Sequence, residues 1–476
     1  MSVSELVWAS AAELQLHFAS GAVSPVEIAD EVLRRIHRLD PLVNAFVYVD
    51  PETTRRMAEA SARRWRAGTP LGPLDGIPVS IKDLAPVAGW PLRRGSRALL
   101  ADPPSATDSL PVARLREAGA VFIGKTATSE SGVRIVCRSD VHGVTRNPYD
   151  PSRTPGGSSG GAAAGLALGL GTLALGTDGA GSIRIPASFC NLVGLKPGFG
   201  RIPAHPPSIF MPHSVTGPMG RCVDDVARMT AMMSAADPRD PFAWPVPFET
   251  AATAKGSVKG LRVALAPTLG TGMVADPETN DAVSAVAGVL ADAGAVVEVD
   301  EPDWPVDPYL PFIVFWEATY AAFLDSHPPE RAALMSPLLH AIAERGRRID
   351  ILAWHRALAQ RLAITDAAHA FLNRYDIVLG PVMPTPAFDI DAEAPPGELP
   401  DDWRWCPYSY LFNMTGQPAL ALPGGFTGIG LPIGVQMASR MGTEESLLAV
   451  GAAVEARLGL TSRRPPLAAA ADRDTV

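Results

Sequence analysis

Cysteine is scarce and scattered. The four thiols, Cys137, Cys190, Cys222 and Cys406, lie far apart and form no C-x-x-C pair, which argues against a disulfide scaffold or a thiolate zinc site and for a reduced, cytoplasmic setting. Lysine is hardly commoner: of 41 basic residues only Lys82, Lys125, Lys196, Lys255 and Lys259 are lysine. No basic run is long enough for a nucleic-acid surface, and the net charge of −9 opposes one. The opening stretch MSVSELVWASAAEL lacks the basic start and apolar core of a secretory signal. The run at 161–176 is too short and glycine-rich to span a membrane, so it reads as a buried helix leading into a strand. No long apolar hairpin or amphipathic basic helix suggests membrane docking. H-E-x-x-H, G-x-x-x-x-G-K-[ST] and a correctly spaced G-x-G-x-x-G are all missing, so the sequence calls for no metal and no cofactor.

What is present supports a large core: 47% of the 476 residues are hydrophobic and 19% charged, far from a disordered composition. Near the N-terminus, Ser10 with Glu13, Ser24–Pro25 with Glu27, and Asp50–Pro51 mark three helix starts, with stops at Gly21 and near Gly68. Strands are expected at 76–83, 120–126, 172–178, 261–267, 296–300, 376–381 and 433–439. Helical periodicity covers 110–119, 277–293, 313–326, 350–374 and 443–457. Alternation of the two along the whole chain indicates an α/β protein with a largely parallel or mixed sheet. The stretch 236–260 reads as a surface excursion.

The segment RTPGGSSGGAAAG (153–165) sets Ser158 and Ser159 between two glycine pairs. A flexible linker should continue into polar sequence, but the chain turns apolar from Ala162. Gly157, Ser159 and Gly161 match G-x-S-x-G, yet that elbow needs a strand just before the serine, and TRNPYDPSRTP is none. A second segment, DGAGSIRIP (178–186), suits catalysis better. Gly179, Ala180 and Gly181 have little or no side chain, so their N–H groups can approach a ligand as an oxyanion hole requires, with Ser182 placed to attack. No histidine base is near in sequence. Lys82, closing the apolar strand GIPVSIK, is the candidate base, because burial lowers a lysine pKa. On the strand alone, an exposed lysine paired with Asp83 is the simpler reading.

Taken together, GIPVSIKD (76–83), GGSSGG (156–161) and DGAGSIRIP resemble the amidase signature family, hydrolases with a Ser–cis-Ser–Lys triad. NPYDPSRTP, FCNLVGLKP, GPMGR (217–221) and FNMTGQPALALPGGFTGIGLPIGVQM (412–437) extend the likeness over roughly residues 10 to 457. The resemblance implies an α/β fold with a large central mixed β-sheet sandwiched between α-helices, in a single domain over 1–476 with a flexible tail at 458–476. It implies Lys82 as base, Ser158 as proton relay beside a cis peptide bond, and Ser182 as nucleophile of an acyl-enzyme. Asp178 and Arg184 are expected as a buried pair or backbone ligands fixing the turn, and Ser159 as local support for Ser158. Cys190 reads as a buried filler and Lys196 as structural.

The implied activity is hydrolysis of a small aliphatic or aryl amide by an enzyme needing no nucleic acid or membrane; a homodimer is compatible with it. The alternatives are the glutaminase subunit of a tRNA-dependent amidotransferase and a catalytically dead binding protein. Such subunits usually read K-D-N and G-S-I-R-Q-P where this chain has Leu84 and Ile185, and intact Lys82, Ser158 and Ser182 oppose the dead member. Two departures stand out: Ala180 where many members carry glycine, and Asn191 after Phe189–Cys190, whose effect the sequence does not assign. The aromatic stretches 308–323 and 403–412 either line an acyl pocket or pack the core.

Overall fold

The computed structural model of the protein describes residues 2–249 and 258–468. In chain order the strands are β1 (Phe46–Tyr48), β2 (Pro78–Lys82), β3 (Val121–Thr126), β4 (Arg138–Ser139), β5 (Gly143–Val144), β6 (Leu173–Asp178), β7 (Val193–Lys196), β8 (Val215–Gly220), β9 (Arg262–Leu265), β10 (Val296–Val299), β11 (Ile377–Pro381), β12 (Ala419–Phe426) and β13 (Pro432–Ser439). β4 and β5 pair only with each other. The other eleven form one mixed sheet in the order β1-β3-β2-β6-β8-β7-β12-β13-β11-β9-β10. Its wings, β3-β2-β6 and β11-β9-β10, are parallel, while the centre from β6 to β13 is antiparallel.

β2 and β6 fix the position of the site. Both are apolar through most of their length, as interior strands covered on both faces must be, and β2 is buried throughout. They run parallel in a register that pairs Ile81 with Leu175, so Lys82 and the Thr177–Asp178 end of β6 emerge at the same carboxyl edge. In open α/β sheets that edge is where ligands bind. The antiparallel β8 starts there as well, Val215 opposite Asp178.

All three predicted helix starts carry their caps: Ser10 accepts from the Glu13 N–H, Ser24 from Glu27 and Asp50 from Thr53. The helices Pro25–Val43 and Pro51–Ala67 cover the β2–β3 wing, and Val223–Met233, Pro277–Asp292 and Glu444–Leu458 enclose a separate core over β7, β12 and β13. Strands β1, β4, β5, β7, β8 and β12 were not foreseen. β8 (VTGPMG) and β12 (ALALPGGF) carry the glycine and proline that normally mark turns. β12 accommodates Pro423 beside a register shift, and in β8 the bare Gly217 lets the Leu195 carbonyl approach to 2.3 Å of where a Cβ would stand.

Residues 458–468 correct the expectation of a loose tail from 458. Tyr149 Oη donates to the Arg463 carbonyl (2.7 Å). Asn191 Nδ2 donates to the carbonyls of Leu460 (2.9 Å) and Arg463 (3.3 Å). Asn191 is left-handed (φ 56), a conformation asparagine tolerates better than most residues, and its unassigned role is this tether. The rest of the expected tail, 469–476, lies outside the described residues. So does 250–257, with Lys255, from the predicted excursion at 236–260; before it, Trp244 N–H bonds Gly200 and Arg201 Nη1 donates to Val246.

The helix Gly160–Ala167 is wholly buried because its residues are small. A Cβ on Gly161 would stand 2.4 Å from Ala127 N and Ala45 O, whereas one on Gly165 would meet nothing nearer than the Phe46 ring at 3.4 Å. Gly161→Ala is therefore expected to cost at least about 1–3 kcal/mol as overpacking. Gly165→Ala should gain about 0.5–1 kcal/mol of helix preference. Thermal melts of the two variants should fall on opposite sides of the wild type.

Candidate active site

Lys82 is fully buried, with 0% exposure, at the end of β2. Its Nζ donates to Ser158 Oγ (2.7 Å) and Thr177 Oγ1 (2.9 Å). It does not pair with Asp83, which faces Lys125 instead (3.5 Å). Burial pushes the Lys82 ammonium down to about 7, against the opposing charges of Cys137 and Asp178. Thr177 was not foreseen; its place just before Asp178 at the exit of a strand neighbouring β2 was the available signal.

The serine segment approaches through a cis peptide bond between Gly157 and Ser158. Gly157 has no room for a Cβ, which would meet the Val136 backbone at 2.7 Å. Ser159 joins the two serine segments: its N–H donates to the Ser182 carbonyl (3.2 Å) and its Oγ to the Thr177 carbonyl (3.3 Å).

The turn that carries Ser182 is held by one carboxylate. Asp178 accepts from the N–H groups of Gly181 (2.7 Å) and Ile183 (3.2 Å) and from Arg184 Nε and Nη2, each at 3.1 Å. Burial would raise its pKa, but the Arg184 charge and hydrogen bonds outweigh burial and hold it at about 2. Arg184 also donates to Gln436 Oε1 (2.8 Å), the Ser409 carbonyl (2.5 Å) and Asn413 Oδ1 (2.7 Å). Asn413 and Gln436 complete this cage from segments about 230 and 250 residues away in sequence; both lay inside stretches that resembled the family, without a visible role. Lys196 is buried too, donating to the Pro197 carbonyl (3.0 Å), and Cys190 is a buried thiol that burial pushes up.

One expectation needs correcting. Gly181 was grouped with Gly179 and Ala180 as an oxyanion donor, but its N–H is spent on Asp178. What Gly181 supplies is conformation: φ is +98, and a Cβ would stand 2.8 Å from Ile185 and Ser409. Gly179, Ala180 and Ser182 border the cavity above the turn, and Gly181 does not.

That cavity, about 120 Å³, also exposes Ser158 and Thr177. Its apolar wall includes Leu84, Pro86, Ile209, Phe210 and Trp316, and its side chains include no carboxylate. The aromatic stretches divide: Trp316 and Tyr320 line the cavity, while Phe312 and Tyr410 stack at 4.3 Å behind it. No group of His, Cys, Asp and Glu among the described residues is arranged to hold a metal ion, and no helix among them is long and apolar enough to cross a membrane.

A wide mixed sheet carries a serine turn and a buried lysine at its carboxyl edge, and comparison with known proteins gives its family. The amidase family profile matches residues 27–448. An acylamidase of Rhodococcus erythropolis is 36% identical over 98% of both chains. One subunit of the glutamyl-tRNA(Gln) amidotransferase of Rhodopirellula baltica is 35% identical over 96% of this chain and 98% of its own. The crystal structure of a bacterial aryl acylamidase of the amidase signature family superposes with a TM-score of 0.90 at 29% identity, covering 97% of this chain and 98% of that one. The protein belongs to the amidase signature family and is a hydrolase acting on amides.

The Lys82 environment has a measurable consequence. Unfolded lysine holds its proton to about 10.5, the folded site only to about 7. Between those values the unfolded chain binds the extra proton, so Lys82 destabilises the fold fully below pH 7 and less as pH rises towards 10.5. Lys82→Met should therefore have its greatest relative stability at or below pH 7. Wild type should gain on it steadily between pH 7 and 10 in denaturant melts; a pH-independent difference would contradict the burial argument.

Proposed function

We propose that the protein cleaves amides through a Ser182 acyl-enzyme, with Ser158 as proton relay and Lys82 as base. The observation that carries this reading is the fully buried Lys82, 2.7 Å from Ser158 Oγ, under a cavity that also exposes Ser182. A pKa of about 7 leaves a useful fraction of Lys82 neutral at neutral pH. The neutral amine takes the Ser158 hydroxyl proton as Ser158 takes that of Ser182, since a hydroxyl both donates and accepts. Ser182 Oγ bonds to the amide carbon, and the oxyanion lies against the N–H groups of Gly179, Ala180 and Ser182. Collapse breaks the C–N bond as the relay returns the proton to the leaving nitrogen. Water, deprotonated along the same path, then releases the carboxylic acid.

Asp178 and Arg184 have no part in proton transfer in this scheme; they hold the turn. The apolar wall suits a small aliphatic or aryl amide, in keeping with the acylamidase relatives. The amidotransferase subunits among the relatives raise glutamine as a substrate. Leu84 in the wall opposes it, and so does the lack of a carboxylate among the described lining residues, because no anionic side chain there would pair the α-ammonium of glutamine.

Ser182→Ala should lower kcat/KM on an acyl anilide by at least about 10³-fold with an unchanged melting temperature, and should abolish fluorophosphonate labelling mapped to that residue by peptide mass spectrometry. Wild-type activity in this variant would sink the assignment. In the wild type, kcat/KM should rise with pH through an apparent pKa near 7 and level off above it, because protonated Lys82 cannot act as base. A profile flat from pH 5 to 9 would exclude Lys82 from that role.

A further inference from the structure

Two left-handed residues that are not glycine meet at the cavity wall. Arg94 has φ 51 and Ser131 φ 48, and the Ser131 N–H donates to the Arg94 carbonyl (2.8 Å). Both line the cavity that exposes Ser182. A bulky residue in this conformation is an outlier, and such outliers gather at functional positions where the surroundings enforce them.

The enforcement is visible. The Asp83 carboxylate accepts from the Arg93 N–H at 3.3 Å, Ser96 N–H bonds the Arg93 carbonyl (2.9 Å), and Ser96 Oγ donates to Glu130 (2.6 Å). Glycine would satisfy this turn more easily than arginine. What arginine adds is its side chain.

That side chain has no counter-ion among the described residues. Among the described residues the Arg94 guanidinium makes no hydrogen bond or ion pair. Asp83, the carboxylate whose field it feels, is committed to Lys125 and to the Arg93 N–H. Asp102, in a recess that Arg94 also borders, pairs with Arg331. The buried Ser131 Oγ is likewise without a partner. No carboxylate among the described residues lines the cavity, so Arg94 gives it a positive charge in a largely apolar wall, where the field of a charge is strongest.

The pair also lies close to the proposed relay: a Cβ on Gly132, the residue after Ser131, would stand 3.4 Å from Ser158 Oγ. We propose that Arg94 determines specificity by binding a carboxylate on the substrate. The preferred amides then carry a carboxylate a few atoms from the scissile carbonyl. A guanidinium grips a carboxylate through two parallel N–H donors, which fixes orientation as well as charge. This inference rests on the reading of Ser182 as nucleophile.

The test compares matched substrates: succinamate against butyramide places the carboxylate on the acyl side, and N-butyrylglycine against N-propylbutyramide places it on the amine side. Wild type should favour the charged member of at least one pair by tenfold or more in kcat/KM. Arg94→Gly, which suits the left-handed backbone and so should fold, should reduce that ratio at least tenfold, and Arg94→Lys should retain part of it. Succinate or N-acetylglycine should slow fluorophosphonate labelling of Ser182 in wild type but not in Arg94→Gly, a readout independent of turnover. Ratios near one in both wild-type pairs, ratios unchanged by Arg94→Gly, or equal protection in both proteins would overturn the inference while leaving Ser182 as nucleophile. Failure of Ser182 itself to label would overturn the catalytic reading and this inference together.

Discussion

The Asp178 carboxylate is the constraint on which the site depends. It closes β6, accepts two N–H groups of the turn that carries Ser182, and receives two donors from Arg184. A bare carboxylate buried to this depth would be costly, and a buried ion pair is retained only when its remaining hydrogen-bonding positions are met. Here they are met from distant strands and helices. Asn413 donates to Asp178, and Arg184 reaches Gln436, Ser409 and Asn413. The turn is thereby held before any substrate arrives, as the proposed use of its backbone donors requires.

Asp178 also acts on Lys82. Burial lowers the lysine pKa and dominates, while Cys137 and Asp178 act the other way. Were Asp178 unpaired, its charge would act on Lys82 at greater strength and favour the ammonium. With Arg184 holding the carboxylate, Lys82 is left chiefly with hydroxyl partners, Ser158 and Thr177, which stabilise an ammonium less than a carboxylate would. A structural ion pair and a lowered lysine pKa thus belong to one arrangement.

Much of this was legible in the sequence, and the gaps have physical reasons. The helix caps were readable because capping is local, decided by side chains three residues apart. Lys82, Ser158 and Ser182 could be picked out because each sits in a segment whose glycines or apolar run make sense only together. Strands β8 and β12 were missed because Pro218, Pro423 and neighbouring glycines serve close packing there rather than turns, a distinction that depends on Leu195 and the strand partners. Asn413 and Gln436 could not be assigned because their partner, Arg184, lies about 230 to 250 residues away. The role of Gly181 was misjudged because a bare N–H looks the same in sequence whether it faces a ligand or Asp178.

The few lysines of the chain follow the same logic. Three of the four among the described residues, Lys82, Lys125 and Lys196, are buried, and burial pushes them down to about 7, 8 and 7. Arginine carries nearly all the surface ion pairs, and arginine effectively cannot shed its proton. At Lys82 a group that can become neutral is what the proposed proton relay needs. At Lys125 the ammonium faces Asp83 at 3.5 Å and donates to the Ala85 carbonyl (2.5 Å), which steadies the carboxylate that clamps the Arg93–Arg94 turn. Lysine thus occupies the interior beside both the proposed relay and the proposed specificity turn. At Arg94 the demand is the opposite, a charge that persists at every working pH, and there the chain uses arginine.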